Sequence, residues 1–284
     1  MPAVTEQLQD EQSLSLDHFR IIKSLLYDAS GITLADHKRQ MVFNRINKRI
    51  KDLDINSFEA YIDFLHDKEN SEEMVHLVNA LTTNVTHFFR EKHHFEHMAD
   101  QLRTSIKSGH EKIRIWSAAC SIGAEPYSAA LIVQDIINEV KRTCDIRILA
   151  TDIDTLALEH GRKGVYAKRT SKGLPDRHLK TYFESESREN ERFFKVKPSI
   201  RNRVSFNYMN FNDAKWPMSG PFDFIFCRNV LIYFDQQKKD EYVSKMLNLL
   251  RPGGFFYLGH SENAVMASKN FKICGPTIYQ KQEG

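Results

Sequence analysis

From Lys112 onward the chain alternates short β-branched or aromatic runs with helix-length amphipathic stretches, and this alternation constrains the fold more than any other feature. Parallel strands need long crossovers, usually helical, so the pattern predicts an α/β architecture with a parallel or mixed, doubly wound sheet. IRIWSA (113–118) reads as a strand, Pro126–Lys141 as a helix, IRILATDI (146–153) as a strand and Thr155–Lys163 as a helix. FDFIFCRN (222–229), Asp235–Leu250 and GFFYLGHSE (254–262) follow as strand, helix and strand. One stretch, 164–210, departs from this rhythm. A charged tract, ESESRENER (184–192), precedes FFKVKPSI and RVSFNYMN, which alternate at period two. It reads as a small antiparallel insertion with an exposed loop.

The first third has helical period and no strand signal. Phe19, Ile22, Leu25 and Leu26 share one stripe, with Ser15 or Asp17 as cap and Gly31 as stop. A second helix runs from near Ala35 to Leu53 on Val42, Ile46, Ile50 and Leu53. Ser57 caps a third carrying Phe58, Tyr61, Ile62 and Leu65, and Ser71 precedes a fourth, Glu72–Leu81. The prediction is a small helical bundle ahead of the sheet.

Charge is informative only by segment. Forty basic against 37 acidic residues leave +3 overall, which excludes a globally basic nucleic-acid binder. Residues 1–83 carry 9 basic and 14 acidic residues, yet Lys38, Arg39, Arg45, Lys48, Arg49 and Lys51 form a run with no acidic residue inside it. Arg45 and Arg49 stand four apart, with Lys48 close to the same face. This is either a solvated helix face or a docking surface for an acidic helical partner. No run of about 18 apolar residues occurs, and Met1–Gln12 lacks the basic and apolar regions of a signal peptide. The four cysteines are scattered without a CxxC pair, which fits reduced thiols in a cytosol. The expectation is a soluble, cytoplasmic monomer.

The turn Ser117–Ser128 (SAACSIGAEPYS) joins strand to helix at the carboxyl end of the first strand, where doubly wound sheets bind ligands. Small residues and Gly123 allow close backbone approach, and Pro126 suits a first helical position. GxGxxG is absent, which argues against a dinucleotide, and Glu125 would repel phosphate but suit a cationic or hydroxyl-rich ligand. A tight structural turn is the alternative. At the end of the second strand, Asp152 is placed to accept hydrogen bonds from ribose hydroxyls, and Asp154 to cap the following helix. An adenosine-type ligand without a pyrophosphate matches this set. His87, His93, His94 and His97 form no HExxH and no Asp or Cys completes a site, so no metal is expected. Phe88, Phe89 and Cys227 read as core.

Together, TNVTHFFRE (83–91), AACSIGAEPYS (118–128), FCRNVLIYF (226–234) and LRPGGFFYLGHSEN (250–263) resemble the CheR family of chemotaxis methyltransferases, in order and over essentially the whole chain. The resemblance implies a Rossmann-like methyltransferase sheet behind an all-α domain, with S-adenosylmethionine as cofactor, S-adenosylhomocysteine as product and no metal. It implies a helical receptor-docking domain at 1–82, a linker contributing to the active site at 83–98 and a cofactor-binding domain at 99–284. Asn84, Thr86, Arg90, Glu125, Asp152, Asn210, Phe211, Arg228 and Asn229 would contact the cofactor. Arg90 and Tyr233 would serve at the reacting centre, and Arg45, Lys48 and Arg49 would dock chemoreceptor cytoplasmic helices. The reaction implied is methyl transfer to receptor glutamates, with the enzyme recruited to membrane-bound arrays. Some members tether a receptor's C-terminal pentapeptide through a glycine-containing loop in the insertion. Here Glu184–Glu191 has no glycine and is strongly acidic, which argues against tethering. Two other readings stay open on residues alone: a non-catalytic adaptor that binds the cofactor as a signal, and a nucleic-acid methyltransferase.

Overall fold

The computed structural model describes residues 14–188, 191–265 and 271–282. Met1–Gln12 lies outside the described residues, as do Glu189 and Asn190 of the acidic tract. The chain divides into two compact units: Met1–Thr83 with Tyr233–Asp235, and Asn84–Ile232 with Gln236–Gly284.

The helical unit contains α1 (Leu16–Ser30), α2 (Arg39–Asp52), α3 (Phe58–His66) and α4 (Ser71–Leu81). Local chemistry sets the ends. Ser15 caps α1 by accepting from His18 N, and Gly31 at φ 74° closes it. Ser57 caps α3 by accepting from Ala60 N. Phe19, Ile22, Leu26, Val42, Ile46, Tyr61 and Leu77 form the buried interior.

The second unit begins with α5 (Lys92–Lys107), which runs through residue 98, the end expected for a linker. Its stripe of Phe95, Met98, Leu102 and Ile106 packs into the core. Then follow β1 (Lys112–Ala118), α6 (Ala124–Val140), β2 (Asp145–Asp152), α7 (Thr155–Lys163), β3 (Val165–Ala167), α8 (Asp176–Tyr182), β4 (Phe183–Arg188) and β5 (Glu191–Val196). The remainder is α9 (Pro198–Arg201), β6 (Val204–Tyr208), β7 (Phe222–Cys227), α10 (Gln236–Leu249), β8 (Leu250–Leu258), β9 (Phe271–Gly275) and β10 (Ile278–Lys281).

Seven strands form one sheet in the order β6-β2-β1-β7-β8-β10-β9. The first five run parallel, and β10 pairs antiparallel with both β8 and β9, so that it alone runs against the other six. Two expectations are corrected here. RVSFNYMN is not part of the antiparallel insertion: β6 pairs parallel with β2 at the edge of the main sheet. Its alternating burial is that of a half-covered edge strand, and period two cannot tell that from a hairpin. The acidic tract is not an open loop either, since Glu184–Arg188 and Glu191–Val196 pair as strands in a three-stranded sheet ordered β3-β5-β4.

Register places the site. Ala118 at the end of β1 is level with Thr151 of β2 on one side and Cys227 of β7 on the other. Strand order reverses at β1, because the chain builds outward through β2 and β6 and then returns to β7. The three turns leaving these strand ends therefore converge at the topological switch point.

Candidate functional site

The turn after β1 is tightly wound. Ala119, Ser121 and Gly123 all take positive φ, at 65°, 51° and 89°. A Cβ on Gly123 would stand 3.0 Å from the Phe206 ring and the Tyr166 hydroxyl, so packing as well as backbone calls for glycine here. α6 starts at Ala124, which makes Pro126 its third residue rather than its first. Its missing N–H still falls in the first turn, where no intrahelical acceptor exists.

Asp152 closes β2 with 9% exposure. Its Oδ2 accepts from Ser121 N at 2.6 Å and its Oδ1 from Asp154 N at 2.9 Å, so the acid ties the first turn to the second. Burial pushes its carboxyl up to about 6, against the backbone N–H groups that favour the charge. Asp154 caps α7, its Oδ1 accepting from Leu156 N and Ala157 N at 2.9 and 3.0 Å. Its other oxygen accepts from Asn84 Nδ2 at 2.6 Å, while Ser121 Oγ donates to Asn84 Oδ1 at 2.7 Å. The structure thus brings Asn84, Asp152 and the Ser121 turn together. Ser121 and the second role of Asp154 had no sequence signal beyond their place in the turn.

The polar centre is Arg228, whose side chain is 2% exposed. Its Nη1 meets Glu125 Oε2 at 2.8 Å, its Nη2 donates to the Arg90 carbonyl and lies 3.2 Å from Glu91 Oε2, and its guanidinium stands over the Phe95 ring. Glu125 Oε1 accepts from Ser117 Oγ at 2.7 Å. Burial raises the Glu125 carboxyl above its ordinary range, with Arg228 and Ser117 opposing. Burial also works against the charge on Glu91, but Arg228 outweighs it and holds that carboxyl below its ordinary range. Among the described residues, Glu91 Oε2 and Arg228 Nε are buried with no hydrogen-bond partner. With Glu91, Glu125 and Asp152 set against one guanidinium, the site carries an excess of carboxylates. Such a donor set fits a ligand with a positive centre and vicinal hydroxyls, and fits phosphate poorly.

Asn229 follows at φ 59° and donates its N–H to Glu262 Oε2 at 2.8 Å. Glu262 belongs to the LGHSEN string but was assigned no role there. Asn210 is buried and its Oδ1 accepts from Asn212 N at 2.9 Å. Phe211, also buried, packs against Trp216 and Tyr242. Thr86 is half-buried, and Arg90 donates from Nη1 to Val85 O at 2.9 Å. Phe88 lies edge-on to Tyr166 and Phe89 to Phe95, as core aromatics do. His94 Nε2 lies 2.8 Å from Thr277 Oγ1 and His97 Nδ1 3.0 Å from the Tyr257 hydroxyl. Burial, helped by Arg228, drives the His94 imidazole down to about 2. Among the described residues no cluster of three His, Cys, Asp or Glu side chains could hold a metal ion.

The helical unit holds the other singled-out residues. Tyr233 groups with it, its carbonyl accepting from Thr33 N at 2.8 Å and Thr33 Oγ1 at 2.9 Å. Arg45 and Arg49 turn inward rather than outward. Arg45 Nη1 donates to the Ala80 and Thr82 carbonyls at 3.1 and 2.6 Å, closing the end of α4. Arg49 makes a two-point pair with Glu73, Nε to Oε1 at 3.0 Å and Nη2 to Oε2 at 2.6 Å, and Tyr61 donates to the same carboxylate at 2.8 Å. Helical spacing locates a face but does not say which neighbour covers it. Lys48 stays exposed, with Lys38, Arg39 and Lys51.

Residues 84–280 match the family description "CheR methyltransferase, SAM binding domain", and residues 17–82 match "CheR methyltransferase, all-alpha domain". The chain is 40% identical to the chemotaxis protein methyltransferase of Escherichia coli (strain K12), over 96% of this chain and 93% of that one. It is 39% identical to the protein of the same description from Salmonella typhimurium, over 98% and 94%. It is 40% identical to chemotaxis protein methyltransferase 2 of Pseudomonas aeruginosa, over 93% and 92%.

Proposed function

The chain belongs to the CheR methyltransferase family, and from that premise we propose that it methylates glutamate side chains of chemoreceptor cytoplasmic helices. S-adenosylmethionine-dependent methyl transfer in chemotaxis follows from the family itself. The observation that supports the reading best is the acidic site at the switch point, where Asp152, Glu125 and Arg228 surround the turns leaving β1, β2 and β7.

When bound, S-adenosylmethionine supplies a methyl group on a sulfonium; a carboxylate oxygen forms the new O–C bond as the C–S bond breaks, its electron pair staying on sulfur. The methyl acceptor is already ionised near neutral pH, so no strong general base is needed. The protein's task is to position and to exclude water. In this reading Asp152 accepts from the ribose hydroxyls, while Asn210 and Phe211 hold the adenine. Asn84, Thr86, Glu125, Arg228 and Asn229 fix the remainder of the cofactor. Arg90 orients the incoming carboxylate through charge-assisted hydrogen bonds, and the Tyr233 hydroxyl positions the reacting groups.

The docking surface on α2 is assigned to Lys48 with its exposed neighbours Lys38, Arg39 and Lys51. Arg45 and Arg49 support that surface from within, because their guanidinium groups are engaged inside the helical unit. Pentapeptide tethering is not part of the proposal. Among the described residues no helix is long and apolar enough to cross a membrane, and the receptor is taken to bring the reaction to its array. Incubation with tritiated S-adenosylmethionine and a chemoreceptor cytoplasmic fragment tests the reading. Base-labile label on the fragment is expected. Base-stable label, or label on nucleic acid alone, overturns it.

A further inference from the structure

We propose that Glu262 is a positioning residue for this reaction: its carboxylate locks the turn after β7 in the left-handed conformation from which Arg228 and Asn229 serve the cofactor. The proposal rests on the reading above, in which that turn binds S-adenosylmethionine.

Glu262 is 2% exposed. Its Oε2 accepts from Asn229 N at 2.8 Å and Gly259 N at 2.7 Å, and its Oε1 from Val230 N at 2.9 Å and Leu231 N at 2.7 Å. Four donors fill the acceptor capacity of a carboxylate. Among the described residues it makes no ion pair, so this buried charge is held by backbone N–H groups alone. Three of those four belong to consecutive residues directly after Arg228, and the first of them, Asn229, sits at φ 59°. Asn tolerates that conformation better than most non-glycine residues, and the three N–H contacts to one carboxylate hold the turn in it.

The second turn is built to match. Leu258 is level with Cys227, so Gly259 leaves β8 beside the start of the Arg228 turn. A Cβ on Gly259 would fall 2.4 Å from Asn229 Nδ2, 2.8 Å from Glu262 Oε2 and 2.9 Å from Asn229 N. The two turns interlock around the carboxylate with no space for a methyl group. Arg228 in turn fixes Glu125 and the Arg90 carbonyl. A shift of the backbone at 229–231 therefore moves the groups assigned to the cofactor.

The test is a double-mutant cycle on the full chain, with S-adenosylhomocysteine affinity measured by calorimetry. Glu262→Gln is isosteric but keeps one acceptor oxygen, and its amide faces two N–H groups. It should weaken binding about tenfold or more in protein that remains folded by circular dichroism, the scale of coupling expected between residues in contact. Asn229→Gly sets a second background in which the left-handed turn needs no enforcement. There the same change should cost about threefold or less. Glu262→Asp, with both oxygens on a shorter arm, should fall between, and it replaces Glu262→Gln if that variant does not fold. A purely structural role predicts a lower melting temperature with unchanged affinity in the folded protein. That result, or an equal loss in both backgrounds, overturns the proposal. If the unsubstituted protein does not bind S-adenosylhomocysteine, the underlying reading has failed, and the proposal with it.

Discussion

Replacing Arg228 by methionine removes the guanidinium while keeping most of the stem's volume. Glu91 and Glu125, with side chains 7% and 12% exposed, are then left without their counter-charge. Removing one partner of a buried ion pair costs about 3–5 kcal/mol, because the remaining charge is uncompensated. Part of this is relieved if Glu125 takes up a proton, which burial already favours. The lower end, about 3 kcal/mol, is therefore the estimate near pH 8, and for a unit of this size it corresponds to a melting shift of about 6–12 °C. The sign of the pH effect follows. In the variant Glu125 titrates higher when folded than when unfolded, so between those two values the folded state binds more protons. Stability must then fall as pH rises through that window, and the gap to the unsubstituted protein must narrow on acidification. Thermal unfolding at about pH 5.5 and about pH 8 reads this out. A shift under about 2 °C at both values, or a gap that widens in acid, would refute the charge balance described here.

Arg49→Ala should destabilise the helical unit by about 3 kcal/mol in denaturant titration, because Glu73 at 5% exposure then keeps, among the described residues, only the Tyr61 hydroxyl as a side-chain partner, whereas Lys48→Ala should stay within about 0.5 kcal/mol. If Lys48→Ala leaves receptor methylation at low ionic strength unchanged, the α2 docking surface is wrong. S-adenosylhomocysteine should bind more tightly as pH rises through about 6, where Asp152 ionises, and Asp152→Asn should flatten that dependence in calorimetry; a pH-independent affinity in the unsubstituted protein contradicts the role of Asp152. Arg90→Ala should lower turnover about 10²-fold while cofactor affinity changes little, since the side chain is assigned to the acceptor carboxylate. Equal losses in methylation and calorimetry would remove that assignment.

Local signals carried much of the fold. Ser15, Ser57 and Asp154 announce helix starts because a cap and the backbone N–H that donates to it lie within three residues. The run of β7, apolar except for Asp223 and buried at every position, announces a central strand. What failed was pairing. Val204–Tyr208 has the alternation of a hairpin strand but lies in the edge of the parallel sheet, and only tertiary contact with β2 decides that. ESES reads as loop, yet it pairs residue for residue with Arg192–Lys195, whose Phe193 and Phe194 supply the apolar positions. The site divided the same way. Glu125, Asp152 and Asn229 stand at strand and helix ends, where topology predicts ligand contacts. Among the described residues Glu262 binds backbone N–H groups only, three of them 31 to 33 residues earlier, and Arg49 meets a carboxylate 24 residues away, so neither long-range pairing leaves a mark in its own neighbourhood of sequence.

The proposed product is a methyl ester on a receptor glutamate. Peptide mass spectrometry of a chemoreceptor cytoplasmic fragment, after incubation with the protein and S-adenosylmethionine, tests it most directly. A single-methyl mass increment localised to glutamate side chains is expected, absent without cofactor and removed by mild base. A methyl group localised to lysine, arginine or a terminus, or one that survives base, would contradict it.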